Sequence, residues 1–164
     1  MMRFKNLFSL LILFVLLLSF TFAQSSIPKL YVEKVNSVEG YLIDPVKIYF
    51  IEKIKEKRIG IAYSRDEADY IAEITIVSAN SRRNFNWVIL LLPLWPIVPV
   101  TTVEGDAIVA VRIFDKYGQE VFFEQAGSVK SGRWFFGDFV SESSIKKDAV
   151  IDCVNKLMVG LTLR

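Results

Sequence analysis

Histidine is absent from this chain of 164 residues, and cysteine occurs once, at Cys153. Without histidine the chain lacks the commonest general base and the commonest neutral metal ligand. Ser-His-Asp and Cys-His catalytic systems are therefore excluded. A single cysteine cannot form an intramolecular disulfide, and the apolar helical neighbours of Cys153 predict a core residue rather than a reactive thiol.

The first residues have the layout of a secretory signal peptide. Arg3 and Lys5 precede an apolar run from Leu7 to Phe22, and small residues at Thr21 and Ala23 then offer a cleavage site. We expect cleavage after Ala23; an uncleaved amino-terminal anchor helix is the alternative. No cysteine lies near Ala23, which excludes a lipid-modified cysteine anchor at that position.

Removal of the leader leaves 164 − 23 = 141 residues, residues 24–164, enough for one domain with its own core. The basic residues fall from 20 to 20 − 2 = 18, which equals the 18 acidic residues. The mature chain is thus close to neutral, and its composition gives no reason to expect a nucleic-acid partner.

Hydrophobic periodicity predicts the order strand, helix, strand, short turn, strand, apolar run, hairpin and helix. We expect the first helix to begin with Asp44 as its N-cap and Pro45 in the first position, and to bury Val46, Phe50 and Ile54. A hydrophobic staple between Ile43 and Ile48 and a capping box from Ser64 to Glu67 are also predicted.

The second half of the chain predicts strands at Tyr70–Ser78, Thr102–Phe114 and Gln119–Lys130, with a loop at Ser131–Val140. An amphipathic helix follows over about Ser143–Leu161, with its apolar stripe directed into the core. The fold class is therefore α+β: a mostly antiparallel sheet of about four to five strands, with two main helices on one face.

An uncharged apolar run from Trp87 to Val100 is the most unusual segment, inserted at about residues 84–101. Its prolines forbid a continuous helix, and at about 14 residues it is shorter than the roughly 20 of a spanning helix. Three interpretations remain open: an arm packed on its own domain, a lipid-contacting loop, and a protein interface that includes self-association. Its candidate contact residues are Trp87, Leu90, Leu91, Leu92, Leu94, Trp95 and Ile97.

A second candidate surface is the cluster Arg133, Trp134, Phe135 and Phe136, bracketed by glycines. Tryptophan and arginine are typical anchors of binding interfaces. The alternative is that two of these aromatic side chains plug the sheet beneath the last helix. Arg82 and Arg83, just before the apolar run, are open to two interpretations, contact with lipid phosphates or simple solvation, and we favour solvation.

No catalytic, metal or cofactor site is predicted. Glu104, Asp106, Glu120 and Glu124 could in principle supply an acid–base pair, but their alternation is typical of the solvent-facing side of a strand. No D-x-D-x-D-G calcium loop and no glycine-rich phosphate loop occurs. We therefore expect a protein that is not an enzyme and holds no cofactor.

The segment RIGIAYSRDEADYIAEITIVSA, with its Ala68-Asp69-Tyr70 motif, and the hairpin Glu104 to Val129 resemble a group of bacterial envelope domains. The group comprises the curli-secretion lipoprotein, the amino-terminal domain of the Tol-system propeller protein and the lipoprotein activators of penicillin-binding proteins. The resemblance covers most of residues 30–161 and implies a non-enzymatic envelope component that works by contact. Two departures are the missing anchor cysteine and the apolar run.

These observations favour an exported, periplasmic or outer-envelope module that acts through its apolar loop on an envelope protein or on a second copy of itself. The alternative is a peripheral protein that binds or carries lipid or another hydrophobic ligand and contacts the membrane surface.

The leader gives the first testable prediction. The protein recovered from outside the cytoplasm should begin at Gln24, because signal peptidase cuts after small residues such as Ala23. Mass spectrometry of the amino-terminal peptide measures this directly. A folded cytoplasmic protein that still begins at Met1 would contradict it.

Overall fold

The computed structural model describes residues 27–88, 99–135 and 140–163. They form five strands and two helices, with short 3-10 turns at Gly40–Leu42 and Arg65–Glu67. In chain order the elements are β1 (Lys29–Asn36), α1 (Ile43–Glu56), β2 (Gly60–Ile61), β3 (Tyr70–Phe85), β4 (Thr101–Asp115), β5 (Glu120–Trp134) and α2 (Glu142–Gly160).

The five strands form one mixed sheet in the order β2-β1-β3-β4-β5. β1 runs parallel to β2 and β3, whereas β3, β4 and β5 are antiparallel neighbours. The β4–β5 hairpin closes through a tight turn in which Gly118 has φ 84°, a conformation that favours glycine. The predicted α+β class, with two helices against one side of the sheet, is confirmed.

The apolar stripe of α2 closes the core. Its inward residues recur every three or four positions and are all buried: Ile145, Ala149, Val150, Cys153, Val154, Leu157 and Met158, with Leu161 just beyond the helix. They meet the alternate residues of β4 that point to the helices, Val103, Ala107, Val109, Val111 and Ile113. The predicted stripe is therefore confirmed as core.

α1 covers the parallel side of the sheet. Val46, Phe50 and Ile54 are fully buried, as their shared face predicts. The two helices are also joined directly, because the Tyr49 hydroxyl donates to Asn155 Oδ1 at 2.8 Å and Lys57 Nζ donates to the carbonyl of Leu161 at 2.9 Å.

The start of α1 differs from the prediction. The 3-10 turn at Gly40–Leu42 leads without a break into the helix, so Leu42 is the N-cap and Asp44 already lies in the first turn. Asp44 there still complements the positive end of the helix dipole. The predicted staple is wrong, because the Ile48 side chain is 59% exposed. The turn at Arg65–Glu67 exists, but the Ser64 side chain does not cap it.

β3 has 16 residues, whereas the strand predicted from apolar alternation, Tyr70–Ser78, has nine. A bulge between Ile76 and Ser78 inserts one extra residue, so the side chains that face the helices change from even to odd positions. β1 ends where Asn36 pairs with Thr75. Beyond that point the sheet continues as a three-stranded arm made of the end of β3, the start of β4 and the end of β5.

A polar clamp holds α2 against β5. The Asp152 carboxylate accepts a hydrogen bond from Ser128 Oγ at 2.6 Å and pairs with Lys130 Nζ at 2.8 Å and Lys156 Nζ at 3.2 Å. The hydrogen bonds from Lys130 and Ser128 hold the pKa of Asp152 well below its usual range, against a smaller opposing effect of burial.

Leu157→Ala should lower the free energy of unfolding by about 2–5 kcal/mol, because it leaves a cavity at a fully buried position in the stripe. Lys147→Ala on the same helix, outside the stripe, should cost about 0.5 kcal/mol or less. Urea unfolding followed by circular dichroism compares the two variants. Equal losses would mean that α2 does not dock through this face.

The clamp also predicts a pH dependence. A carboxyl whose folded pKa is lowered contributes stability above its unfolded pKa, about 3.9, and loses that contribution as the pH falls through the folded pKa. Asp152→Asn should therefore cost about 1–3 kcal/mol at pH 7, and the gap from the parent should shrink steadily below about pH 4. Urea midpoints at a series of pH values measure it; a gap independent of pH would refute the ionised clamp.

Candidate contact surface at the distal end of the sheet

The apolar run connects two strands that stay paired up to its edge. β3 and β4 keep their register as far as Phe85 opposite Thr101. One step further, the Asn86 amide donates to the carbonyl of Val100 at 3.0 Å, and Asn86 Nδ2 donates to the carbonyl of Pro99 at 3.3 Å. The run is therefore a hairpin connection whose two ends are tied together by Asn86. We call this end of the sheet the distal end.

The second candidate cluster arrives at the same place. β5 ends with Trp134 opposite Thr101, and Arg133 opposite Thr102. The row Phe85, Thr101 and Trp134 thus crosses all three strands of the arm. The predicted loop at Ser131–Val140 is wrong in its first residues, since Arg133 and Trp134 belong to β5. Their register with β4, rather than a loop, brings the two candidate segments together.

Exposed apolar side chains lie at the distal end. Trp87 is 70% exposed and packs edge-on against Phe85, with ring centroids 5.0 Å apart and an interplanar angle of 71°. Val88 and Phe135 are also exposed. We call this group the distal surface; it consists of Phe85, Trp87, Val88 and Phe135. Exposed side chains of this size, gathered at one end of a fold, are typical of contact sites.

Seven of the predicted contact residues belong to two segments that lie outside the described residues. Leu90, Leu91, Leu92, Leu94, Trp95 and Ile97 lie in residues 89–98, and Phe136 lies in residues 136–139, all outside the described residues. Whether they pack on the domain or contact a partner therefore stays a prediction.

The two arginines before the run are each paired with a carboxylate. Arg82 Nε lies 2.6 Å from Glu104 Oε2 across the strand pair, and Arg83 Nε lies 3.2 Å from Glu142 Oε1 at the start of α2. Because successive side chains of a strand alternate between its two faces, Arg82 points to the helix-free face and Arg83 points to α2. Local pairing of both charges weakens the interpretation in which the arginines bind lipid phosphates.

Two glycines let the start of α2 approach the arm. A Cβ atom on Gly105 would stand 2.8 Å from Ile145 Cγ2 and 3.1 Å from the Ile145 carbonyl carbon. On Gly132 it would stand 2.7 Å from Val140 Cγ1. Sequence reasoning missed Gly105 and marked Gly132 only as a bracket of the aromatic cluster, although a glycine inside a strand is a signal of close packing. The helix start is thus seated directly beside the distal end.

The carboxylates considered for catalysis have structural partners. Glu104 pairs with Arg82, Asp106 accepts a hydrogen bond from Asn80 at 3.2 Å, and Glu120 lies 3.9 Å from Arg112. Glu124 is on the helix side, beside Gly160, rather than on the solvent side as predicted. Within the described residues no group of three or more carboxylate or thiol side chains could hold a metal ion.

Cys153 lies in the core, as its apolar helical neighbours predict. The Cys153 thiol is fully buried and donates to the carbonyl of Ala107 at 3.3 Å, and burial raises its pKa. Among residues 27–88, 99–135 and 140–163, no helix has both the length and the apolar character needed to cross a membrane.

Comparison with solved structures relates the fold, rather than the sequence, to a bacterial lipoprotein. No protein-family model and no curated protein matches the chain. A minor lipoprotein of Acinetobacter baumannii superposes with a TM-score of 0.50 at 11% identity, covering 82% of this chain and 90% of that one.

Two further solved structures bear the lipoprotein label. A putative lipoprotein of Caulobacter crescentus superposes with a TM-score of 0.48 at 12% identity, covering 78% of this chain and 85% of that one. The uncharacterized lipoprotein B of Nitrosomonas europaea superposes with a TM-score of 0.44 at 17% identity, covering 81% of each chain. At these identities the likeness concerns the fold alone. The superposition on the Acinetobacter baumannii lipoprotein shows that this chain shares an α+β fold with a bacterial lipoprotein, which bears out the predicted resemblance only at this coarser level and not for the three named groups.

Proposed function

We propose that this protein is an exported, non-enzymatic interaction or assembly module of the bacterial cell envelope, and that it makes its contact through the distal end of the sheet. The observation that carries the proposal is the register Phe85–Thr101–Trp134, which joins the apolar run and the Arg133–Phe136 cluster at one place. The described ends of two segments, chosen separately for their apolar and aromatic character, therefore meet at one end of the sheet.

The exposure of the distal surface supports contact. Trp87, at 70% exposed, and Phe85 form a preorganised aromatic pair at the base of the apolar run. A tryptophan side chain offers a large contact area and loses little conformational entropy on binding, because it has few rotamers. The prolines of the run reduce the entropy lost on docking in the same way. Both properties favour a surface that binds another molecule.

The site lies at the end of the domain opposite the start of β1, which leaves it clear of the end at which the described chain begins. The chain enters at Lys29, beside the start of β3, whereas the distal surface lies at the far end of that strand. The 16 residues of β3 at about 3.3 Å each span roughly 50 Å. The distal surface is therefore separated by about the length of β3 from the end of the domain at which the described chain begins.

The likeness to a bacterial lipoprotein supports the envelope as the compartment. Within this class, the curli-secretion, Tol and penicillin-binding-protein-activator groups, to which the Ala68-Asp69-Tyr70 motif and hairpin are similar, are the systems that we propose to examine first for a partner.

A peripheral lipid-binding role is the second candidate. The exposed Trp87 favours it, because indole rings settle at the level of lipid headgroups. The local pairing of Arg82 with Glu104 and of Arg83 with Glu142 counts against an electrostatic contribution from anionic lipid. Any such binding would then depend on apolar insertion rather than on charge.

A triple variant tests the contact role. Replacement of Leu91, Leu94 and Trp95 by Ser should leave a cooperative thermal melt and should abolish association with the envelope, because these side chains are expected to form the contact. The matched control replaces Ile48, Tyr63 and Tyr117, exposed by 59%, 88% and 82% and located elsewhere on the domain, by Ser. Its association should remain unchanged.

The readouts separate the two candidates. Flotation with vesicles of phosphatidylcholine, alone or with phosphatidylglycerol, measures lipid binding, and chemical crosslinking in the intact envelope measures protein contact. Loss of the cooperative melt would identify the run as core and refute the proposal. A folded triple variant that associates like the parent would also refute the run as the contact and would leave the Trp134 segment to be tested.

A further inference from the structure

The outer edge of β5 is a second surface, separate from the distal end. Of the strands that the structure describes, β5 is last in the sheet, and its outer edge pairs with no other described strand. It has 15 residues, so a long row of backbone amide and carbonyl groups is presented along one side of the domain. Long edge strands are templates for pairing with another chain unless the protein protects them.

Apolar side chains on the helix-free face are concentrated on this edge strand. Val121, Phe123 and Val129 are exposed by 46%, 53% and 68%. The neighbouring positions on β3 and β4 are mostly polar or charged, as the pairs Asn80–Asp106 and Arg82–Glu104 illustrate. A partner docked flat on this face would bury ion pairs, whereas a strand added to the edge would cover the apolar side chains.

The charges of β5 are divided between its two halves. Glu120 and Glu124 lie in the first half, and Lys130 and Arg133 lie in the second. An antiparallel copy of the same strand would set the acidic half against the basic half, and a parallel copy would set like against like. Opposite charges across a strand pair are favourable and like charges are unfavourable. The strand is therefore complementary to itself in the antiparallel direction.

We propose that β5 pairs with β5 of a second copy of this chain, antiparallel and centred on Gly127. In this register Gly127 faces its own counterpart, and Glu124 faces Lys130 of the second copy. Phe123 lies diagonally across from Val129 of the second copy, within reach of an aromatic ring. The pairing joins the two sheets edge to edge and leaves both distal surfaces free.

Lys156 controls access to the centre of this edge. Its Nζ donates to the carbonyl of Gly127 at 2.9 Å and lies 3.2 Å from Asp152 Oδ2. A positive charge on an edge carbonyl is a device that discourages strand addition. For the two copies to pair, the Lys156 ammonium must leave the carbonyl while it keeps its ion pair with Asp152. Removal of this side chain should therefore strengthen the association.

Crosslinking at position 127, where the two copies would face each other, tests the register. A side chain at position 127 fits, because the nearest atom to an added Cβ is the Ala107 carbonyl oxygen at 3.8 Å. Self-facing positions of an antiparallel pair place Cα atoms about 5.5 Å apart, a separation that a disulfide can bridge. In the full-length chain in intact envelopes, Gly127→Cys with copper phenanthroline should give a covalent dimer. Tyr63→Cys, whose parent side chain is 88% exposed, should not.

Two substitutions with opposite expected signs complete the test in the Gly127→Cys background. Val129→Glu should reduce the dimer yield about tenfold or more, and Lys156→Ala should raise it. Val38→Glu, at a position 96% exposed in the loop after β1, is the matched control and should change nothing. A yield at Gly127→Cys no greater than at Tyr63→Cys overturns the proposal. A yield insensitive to Val129→Glu, or lowered by Lys156→Ala, overturns it equally.

Discussion

Close contact between α2 and the sheet is the constraint on which the rest of the structure depends. The helix runs from Glu142, beside Arg83 in the arm, to Gly160, beside Glu124 in the first half of β5. Gly105 and Gly132 bring its first turn onto the strands, and Asp152 clamps its middle to β5. Because β4 is buried beneath this helix, its register with β3 and β5 is fixed, and that register places the two aromatic segments side by side at the distal end.

Much of this fold could be predicted from apolar periodicity. The stripe of α2, the buried face of α1 and the β4–β5 hairpin each repeat a simple pattern over many residues, and the structure has them as predicted. The far half of β3 could not be predicted, because the bulge at Ile76–Ser78 interrupts the alternation and leaves mainly polar residues beyond it. A pattern with a period of two cannot show a strand whose facing residues change parity.

The candidate site was predictable in composition but not in arrangement. Aromatic and apolar runs mark the segments around Trp87 and Trp134 as unusual, yet nothing in their 47-residue separation (134 − 87) indicates that both begin at the same end of one sheet. The strand register supplies that fact. The same register leaves β5 with its apolar side chains on the helix-free face at the rim of the sheet, so the domain has two surfaces of different character. One is the aromatic distal end, and the other is the backbone edge of β5, where Lys156 donates to the carbonyl of Gly127.

The reactivity of the buried Cys153 thiol can report how often the core opens. Its sulfur is sealed between α2 and β4, with no exposed surface, so a thiol reagent can reach it only when the helix leaves the sheet. Modification at this atom therefore reports the opening of the whole core rather than the fraying of a loop. When reclosing is fast, the labelling rate follows the free energy of unfolding, and when reclosing is slow it follows the unfolding rate itself. An oxidant would reach this thiol by the same route, so it would modify only those molecules whose core has already opened.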